Sequence, residues 1–162
     1  MNKSLSTHRT TAFVNRILAA AVVSGLLMAG ATPVMAQAHP DATLAAAAKE
    51  PGAKVTASGL VIRMLKEGTG AQPTAASTVR VHYKGAFPDG KEFDSSYKRG
   101  EPIEFPLSGV IKCWTEGVAL MKVGGTAKLT CPSSIAYGAR GAGGVIPPNA
   151  TLVFDVELLG VR

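Results

Sequence analysis

The 162-residue chain contains few of the side chains on which catalytic centres are commonly built. It has three histidines and two cysteines, and it contains no CxxC, HExxH or GxSxG motif and no GK[ST] phosphate-binding sequence. A zinc site needs clustered His, Cys or carboxylate ligands, and a nucleophilic Ser or Cys needs a base within reach. The sequence therefore predicts neither a metal nor a cofactor, and it argues against covalent catalysis and phosphate binding.

The chain also lacks an apolar run of the roughly 20 residues that a membrane-spanning helix requires. Its first 36 residues combine a basic start (Lys3, Arg9 and Arg16) with a short apolar run and then small residues. This order is typical of a secretory signal peptide, which we predict over 1–36 with cleavage near Ala36. An uncleaved signal anchor is the alternative. We expect a periplasmic or secreted protein with no stable membrane insertion after cleavage.

Clustered positive charge is absent as well. The formal net charge is +6, and the predicted signal peptide carries three positive charges and no negative one, so the mature chain has 6 − 3 = +3. Its Lys and Arg residues are scattered among acidic residues, without a basic block or interleaved aromatic residues. Nucleic-acid binding is therefore not expected.

From residue 58 onward the chain consists of strand-like sequence interrupted by turns. In "TVRVHYKGAF" (78–87), Val79, Val81 and Tyr83 alternate with polar residues, which is the period of a half-buried strand. Only "WTEGVALM" (114–121) has the apolar period of a helix. A single helix on an antiparallel sheet predicts an α+β fold. The other predicted strands are 59–68, 91–96, 101–105, 126–131 and 151–161.

Two segments depart from this pattern. In 37–57 an alanine run is stopped by Pro51-Gly52, and because a lone short helix is marginal in water we expect a flexible lead-in. The segment 132–149 is rich in glycine and ends in Pro147-Pro148. A loop of this length is commonly a lid or a binding loop. The sequence thus predicts one domain over 58–162 that carries a functional loop.

The side chains left to carry a function are mostly aromatic and aliphatic. Each of them, taken singly, fits core packing better than a functional role, and Asp94 in "DSS" fits a turn. Apart from Asp94, they are Tyr83, Phe93, Phe105, Val110, Ile111, Trp114, Tyr137, Ile146 and Phe154.

Three sequences place these residues in a familiar order: "VHYKGAFPDGKEFDSS", "GVIKCWTEGVALMKVGGTAKLT" and "AYGARGAGGVIPPNATLVFDVELL". Over about residues 58–161 the chain resembles the FKBP-type peptidyl-prolyl cis-trans isomerases, the macrolide-binding immunophilins. The resemblance implies a strongly twisted antiparallel sheet, a half-barrel, wrapped around one short helix. It also implies catalysis of X-Pro bond rotation in unfolded or partly folded Pro-containing polypeptides, and macrolide binding.

The resemblance further implies roles for individual residues. Trp114 matches the base of the family's pocket, Asp94 the pocket carboxylate and Tyr137 the hydroxyl that donates to a substrate carbonyl. Ile146 matches a loop residue that offers its backbone N–H, and Arg99 the partner of the carboxylate. The apolar walls correspond to Tyr83, Phe93, Val110, Ile111, Tyr137 and Phe154.

The chain departs from its relatives at several of these positions. Ile103 replaces an aromatic wall residue, which predicts an apolar pocket with weaker macrolide affinity. Cys113 stands where relatives often have glycine. Because the protein is predicted to be exported, Cys113 and Cys131 are expected to form a disulfide, and two buried free thiols are the alternative.

Two other functions are compatible with the same sequence features. The chain could be a non-catalytic module or holdase that binds Pro-containing segments in the same pocket, or it could retain the fold only. The resemblance also implies that a dimer would need a longer helical N-terminal segment than 37–57, so we expect a monomer.

Overall fold

The computed structural model describes residues 40–162, and the predicted signal peptide lies outside this range. No helix of the described part is long and apolar enough to cross a membrane. The helices and strands, in chain order, are α1 (Pro40–Ala48), β1 (Ala53–Val55), β2 (Val61–Lys66), β3 (Thr78–Ala86), β4 (Glu92–Ser95), α2 (Ser96–Arg99), β5 (Ile103–Pro106), α3 (Lys112–Ala119), β6 (Thr126–Cys131) and β7 (Leu152–Val161).

All seven strands join one open antiparallel sheet in the order β1-β2-β6-β7-β3-β4, with β5 also paired to β3. Strand β7 pairs with one edge of β3 along 79–86. On the opposite edge of β3, β5 pairs with residues 78–81 and β4 with residues 84–86. The predicted α+β fold is confirmed. This arrangement matters for the site because one long strand supports both β4 and β5.

Helix α3 packs on the inner face of the sheet, where the core lies. Val118 and Met121 are buried together with strand residues such as Val156. A Cβ atom on Gly117 would lie 2.9 Å from the side chain of Leu129, so the missing side chain allows α3 to approach β6 closely.

Cys113 and Cys131 are joined by the predicted disulfide, with their Cα atoms 5.8 Å apart. The bridge ties the first turn of α3 to the last residue of β6.

The expectation of a flexible lead-in over 37–57 differs from the structure, which has α1 and β1 there. An isolated helix of this length would be marginal, but tertiary contacts stabilise it. Ala47 is buried against the sheet, and the carboxylate of Glu50 forms ion pairs with Arg63 (2.7 Å) and Lys128 (2.9 Å). Strand β1 in turn pairs with β2.

The helix content of the domain also differs from the single predicted helix. Helix α2 occupies the "SYKR" sequence directly after β4, which contains Asp94 and Ser95 in place of the expected turn, and the Ser95 side chain caps the helix by accepting the N–H of Lys98. Gly100 ends it in the left-handed conformation with φ 78°. Because four residues are too few to show a helical period, only the cap could have indicated α2.

Candidate active site

A cavity of about 310 Å³ lies between the first turn of α3 and the strands β3, β4, β5 and β7. Most of its lining is aromatic or aliphatic. The lining residues are Tyr83, Phe93, Asp94, Phe105, Gly109, Val110, Ile111, Trp114, Tyr137 and Phe154. A cavity with an apolar wall and few polar groups is the usual form of a small-ligand site.

Trp114 forms the base of this cavity and is only 5% exposed. Its ring meets Tyr83 edge-on at 5.1 Å and Phe154 edge-on at 5.4 Å, and it lies at a tilt 5.2 Å from Phe105. Phe93 stands perpendicular to Phe154 at 5.7 Å. Edge-to-face contacts at these distances are favourable, so the aromatic walls fix the orientation of the indole ring.

Two polar residues of the lining, Tyr83 and Asp94, form a connected group with Arg99, which is itself not part of the lining. The Tyr83 hydroxyl donates a hydrogen bond to one carboxylate oxygen of Asp94, and the guanidinium of Arg99 pairs with the other. Arg99 also donates to the Tyr83 hydroxyl (3.0 Å) and lies 5.6 Å from the centre of its ring. Asp94 comes from β4 and Arg99 from α2, so the capped turn at Ser95 places the two charges together.

These contacts determine how the group ionises. Burial would raise the pKa of Asp94, but hydrogen bonds from Tyr83 and Arg99 and the Arg99 charge outweigh it, so this pKa lies below its ordinary value. Burial, followed by the hydrogen bond to Asp94, raises the pKa of Tyr83. At neutral pH the carboxylate is therefore charged and the phenol keeps its proton, so Asp94 is not a proton donor.

Tyr137 lies in the loop after β6, and its side chain borders the cavity while remaining 38% exposed. Within residues 40–162 its hydroxyl makes no hydrogen bond, whereas those of Tyr83 and Tyr97 each contact a carboxylate. It is thus a donor available to a bound carbonyl.

The role expected for Ile146 differs from the structure. Its backbone N–H donates to the carbonyl of Ala142 (2.9 Å), and the residue borders a neighbouring groove rather than the cavity. Ile111, by contrast, borders the cavity as the N-cap residue of α3. No backbone carbonyl of the described residues accepts its N–H, while its own carbonyl accepts from Trp114 and Thr115.

Two other residues predicted for the site, Ile103 and Arg99, do not line the cavity. Ile103 is 36% exposed on β5 and is not part of the lining, and Arg99 acts through its contacts with Asp94 and Tyr83. Phe105 and Gly109 line the cavity, although the sequence analysis gave neither of them a role in the site. Phe105 was recognisable as an aromatic residue of the β5 sequence, but nothing in that sequence distinguished a pocket wall from the core.

Comparison with known proteins gives consistent matches. A family model described as FKBP-type peptidyl-prolyl cis-trans isomerase matches residues 69–159. FkpA of Aeromonas hydrophila is 58% identical over 119 residues, covering 74% of this chain and 44% of that protein. FK506-binding protein 1 of Dictyostelium discoideum is 58% identical over 103 residues, covering 62% of this chain and 96% of that protein.

Solved structures agree in fold. The crystal structure of FkpA from Escherichia coli superposes with a TM-score of 0.74 at 50% identity, covering 76% of this chain and 57% of that one. A peptidyl-prolyl cis-trans isomerase from Pseudomonas syringae gives a TM-score of 0.71 at 41% identity, covering 76% and 90%. The chain spans less than half of the length of the FkpA proteins from A. hydrophila and E. coli that it matches.

Proposed function

Because the chain belongs to the FKBP-type peptidyl-prolyl cis-trans isomerase family, we propose that it is an isomerase that accelerates X-Pro bond rotation in the folding of exported proteins. The observation that carries this proposal is the cavity itself. Its base is the buried Trp114, its walls are aromatic, and its polar groups are held in defined contacts.

Such a cavity can lower the rotation barrier without an acid, a base or a nucleophile. The barrier is about 18–20 kcal/mol because the C–N bond has partial double-bond character. Twisting the bond removes that resonance and leaves a less dipolar amide. An apolar cavity therefore destabilises the planar ground state more than the twisted state, which is differential binding of the transition state. Each ~1.36 kcal/mol removed from the barrier gives a tenfold faster rate.

The polar groups would orient the substrate as the bond turns. The prolyl ring would stack on Trp114, while the Tyr137 hydroxyl and the Ile111 N–H would donate to flanking carbonyls. Asp94 would polarise or orient the amide from the rim rather than transfer a proton, in line with its lowered pKa. Arg99 and Tyr83 would hold the carboxylate in place.

The location and assembly of the protein are further parts of the proposal. The signal-peptide sequence at 1–36 supports export to the periplasm or the medium, where unfolded Pro-containing polypeptides would be the substrates.

We expect the protein to be a monomer. A stable dimer in sedimentation at low micromolar concentration would contradict this expectation. A relative carries the name FK506-binding protein, and a macrolide of that class would compete with substrate for the cavity.

A refolding experiment separates catalysis from binding. A protein whose slow refolding phase is prolyl isomerisation refolds in about tens to hundreds of seconds at 25 °C when uncatalysed. We expect catalytic amounts of the mature chain to accelerate that phase. Suppression of aggregation at stoichiometric amounts, with the slow phase unchanged, would favour a holdase and contradict the isomerase.

A further inference from the structure

A second depression, larger than the cavity, borders the site. It has a volume of about 860 Å³ and lies between the β3–β4 turn (87–91) and the loop 140–148. We call it the loop groove. The turn contributes Phe87, Asp89 and Lys91, and the loop contributes Arg140, Val145 and Ile146 among others.

The loop groove has a shape set by backbone contacts. The N–H of Ala142 donates to the carbonyl of Ile146 (3.0 Å), and the N–H of Ile146 donates to the carbonyl of Ala142 (2.9 Å). Gly141 adopts φ 65°, and a Cβ atom at this position would lie 2.2 Å from the Ile146 carbonyl oxygen, so only glycine fits. These contacts hold the loop side of the groove in a defined conformation.

The loop groove lies next to the cavity, although the two linings share no residue. The ring of Phe87, in the groove, lies 5.1 Å from that of Phe93, in the cavity. The loop after β6 supplies Tyr137 to the cavity and 140–148 to the groove. An extended polypeptide advances about 3.3 Å per residue, so a chain with its proline in the cavity can reach the groove within a few residues.

The groove combines an apolar surface with an excess of positive charge in its lining. Val145 is 57% exposed next to the buried Ile146. Lys91 and Arg140 form none of the ion pairs found in residues 40–162. The one acid in the lining, Asp89, accepts the backbone N–H of Lys91 (2.9 Å), so the lining carries two cations against one anion.

We propose that the loop groove binds the substrate segment next to the proline and selects an acidic residue beside an apolar one. This inference rests on the proposed isomerase function and adds sequence selectivity to it. The acidic side chain meets Lys91 and Arg140, and the apolar side chain packs on Val145 and Phe87. Clients whose prolines have an acidic residue within reach of the groove would be isomerised preferentially.

The test uses peptides that contain one Leu-Pro bond and carry Glu, Gln or Lys at successive positions on either side of it. Isomerisation is measured by exchange NMR, which needs no coupling protease. At one position or two neighbouring positions, Glu is expected to raise kcat/KM over Gln by about 3- to 10-fold, with Lys below Gln, since two exposed charge pairs contribute modestly. Added salt should reduce the preference.

The double variant Lys91→Ala/Arg140→Ala should lose the Glu preference and should isomerise a short tetrapeptide at the wild-type rate. Lys49→Ala/Arg80→Ala is the matched control, because it removes the same charge from exposed residues that line neither site. Equal loss in both variants would show long-range steering and overturn the proposal. Equal kcat/KM for Glu and Gln at every position, with the tetrapeptide still turned over, would also overturn it while leaving the isomerase intact.

Discussion

The hydroxyl of Tyr137 borders the cavity without a hydrogen-bond partner in the described residues, so its donor capacity is free for substrate. Tyr137→Phe removes the donor and keeps the ring. Since a neutral hydrogen bond contributes about 0.5–1.5 kcal/mol, we expect kcat/KM for a proline tetrapeptide to fall about 2- to 10-fold. The melting temperature should not change.

Tyr97→Phe is the matched control for this substitution. Its hydroxyl contacts Glu157 outside the cavity, and its ring stacks on His82. It should leave kcat/KM unchanged. An equal loss of activity in the two variants would contradict the role given to Tyr137.

Asp94 makes the stability of the domain depend on pH in a defined direction. Its pKa is lowered in the folded state, so its contacts stabilise the fold fully above the ordinary carboxyl pKa of about 3.9 and lose this effect as pH falls through the folded pKa. Wild type should therefore exceed Asp94→Asn in melting temperature at pH 5–8, and the difference should shrink below about pH 4.

The effect will be modest because the Asp94 side chain is 41% exposed. Asp89→Asn removes the same charge from an exposed turn and controls for net charge. A difference between wild type and Asp94→Asn that grows on acidification would contradict the ionisation assigned to this carboxylate.

Sequence motifs predicted the side chains around the cavity better than the backbone donors. The family resemblance implied that Trp114, Asp94 and Tyr137 share one pocket, and the structure brings all three to one cavity. The N–H of Ile146 was assigned to substrate, but it is bonded to Ala142. A backbone hydrogen bond within an irregular loop leaves no pattern in the sequence, so the sequence does not show that this N–H is already bonded.

The loop that carries Tyr137 depends on Gly141. Gly141→Ala would place a Cβ atom against the Ile146 carbonyl oxygen in a left-handed conformation. We expect it to lower the free energy of unfolding by about 1–3 kcal/mol and to lower kcat/KM, because the loop must shift. Denaturant unfolding and the tetrapeptide assay measure the two effects.

Gly143→Ala separates the steric effect from the backbone conformation. Gly143 also has a positive φ, 55°, but a Cβ atom there would meet nothing within 4 Å. Its substitution should cost less stability than Gly141→Ala and should spare kcat/KM. The reverse order would contradict the close approach at Gly141.

The disulfide joins α3 to β6 at Cys113, the residue before Trp114. In the chain-entropy model a bridge that closes a loop of about this size contributes roughly 3 kcal/mol. Reduction should therefore lower the free energy of unfolding by about that amount, as followed by the fluorescence of Trp114, the only tryptophan. The variant Cys113→Ala/Cys131→Ala should show no further change with reductant. Unchanged stability of the reduced wild type would contradict this role.

The elements that the sequence predicted are those with a clear period. Alternation revealed β3 and β7, and the apolar stripe revealed α3. Helix α1 and strand β1 have no such period. Their stability comes from the burial of Ala47, the ion pairs of Glu50 and the pairing with β2, and these contacts join residues that are far apart in the chain. The start of α3 at Lys112 precedes the predicted Trp114, since the residues before the stripe are polar or small.

At the level of the entire domain, one open sheet and one buried helix form an apolar cavity that has no metal-binding cluster among residues 40–162. In the proposed function, catalysis arises from the shape and the low polarity of the cavity, with the Asp94 group at the rim. The proposal therefore requires that the X-Pro bond rotates within this cavity.

The most direct test is the cis-to-trans rate of a Leu-Pro tetrapeptide with the mature chain, measured with and without a saturating FK506-type macrolide. We expect acceleration over the uncatalysed rate, abolished by the macrolide. A folded sample that binds the macrolide yet produces no acceleration would contradict the account and leave the cavity as a binding site without catalysis.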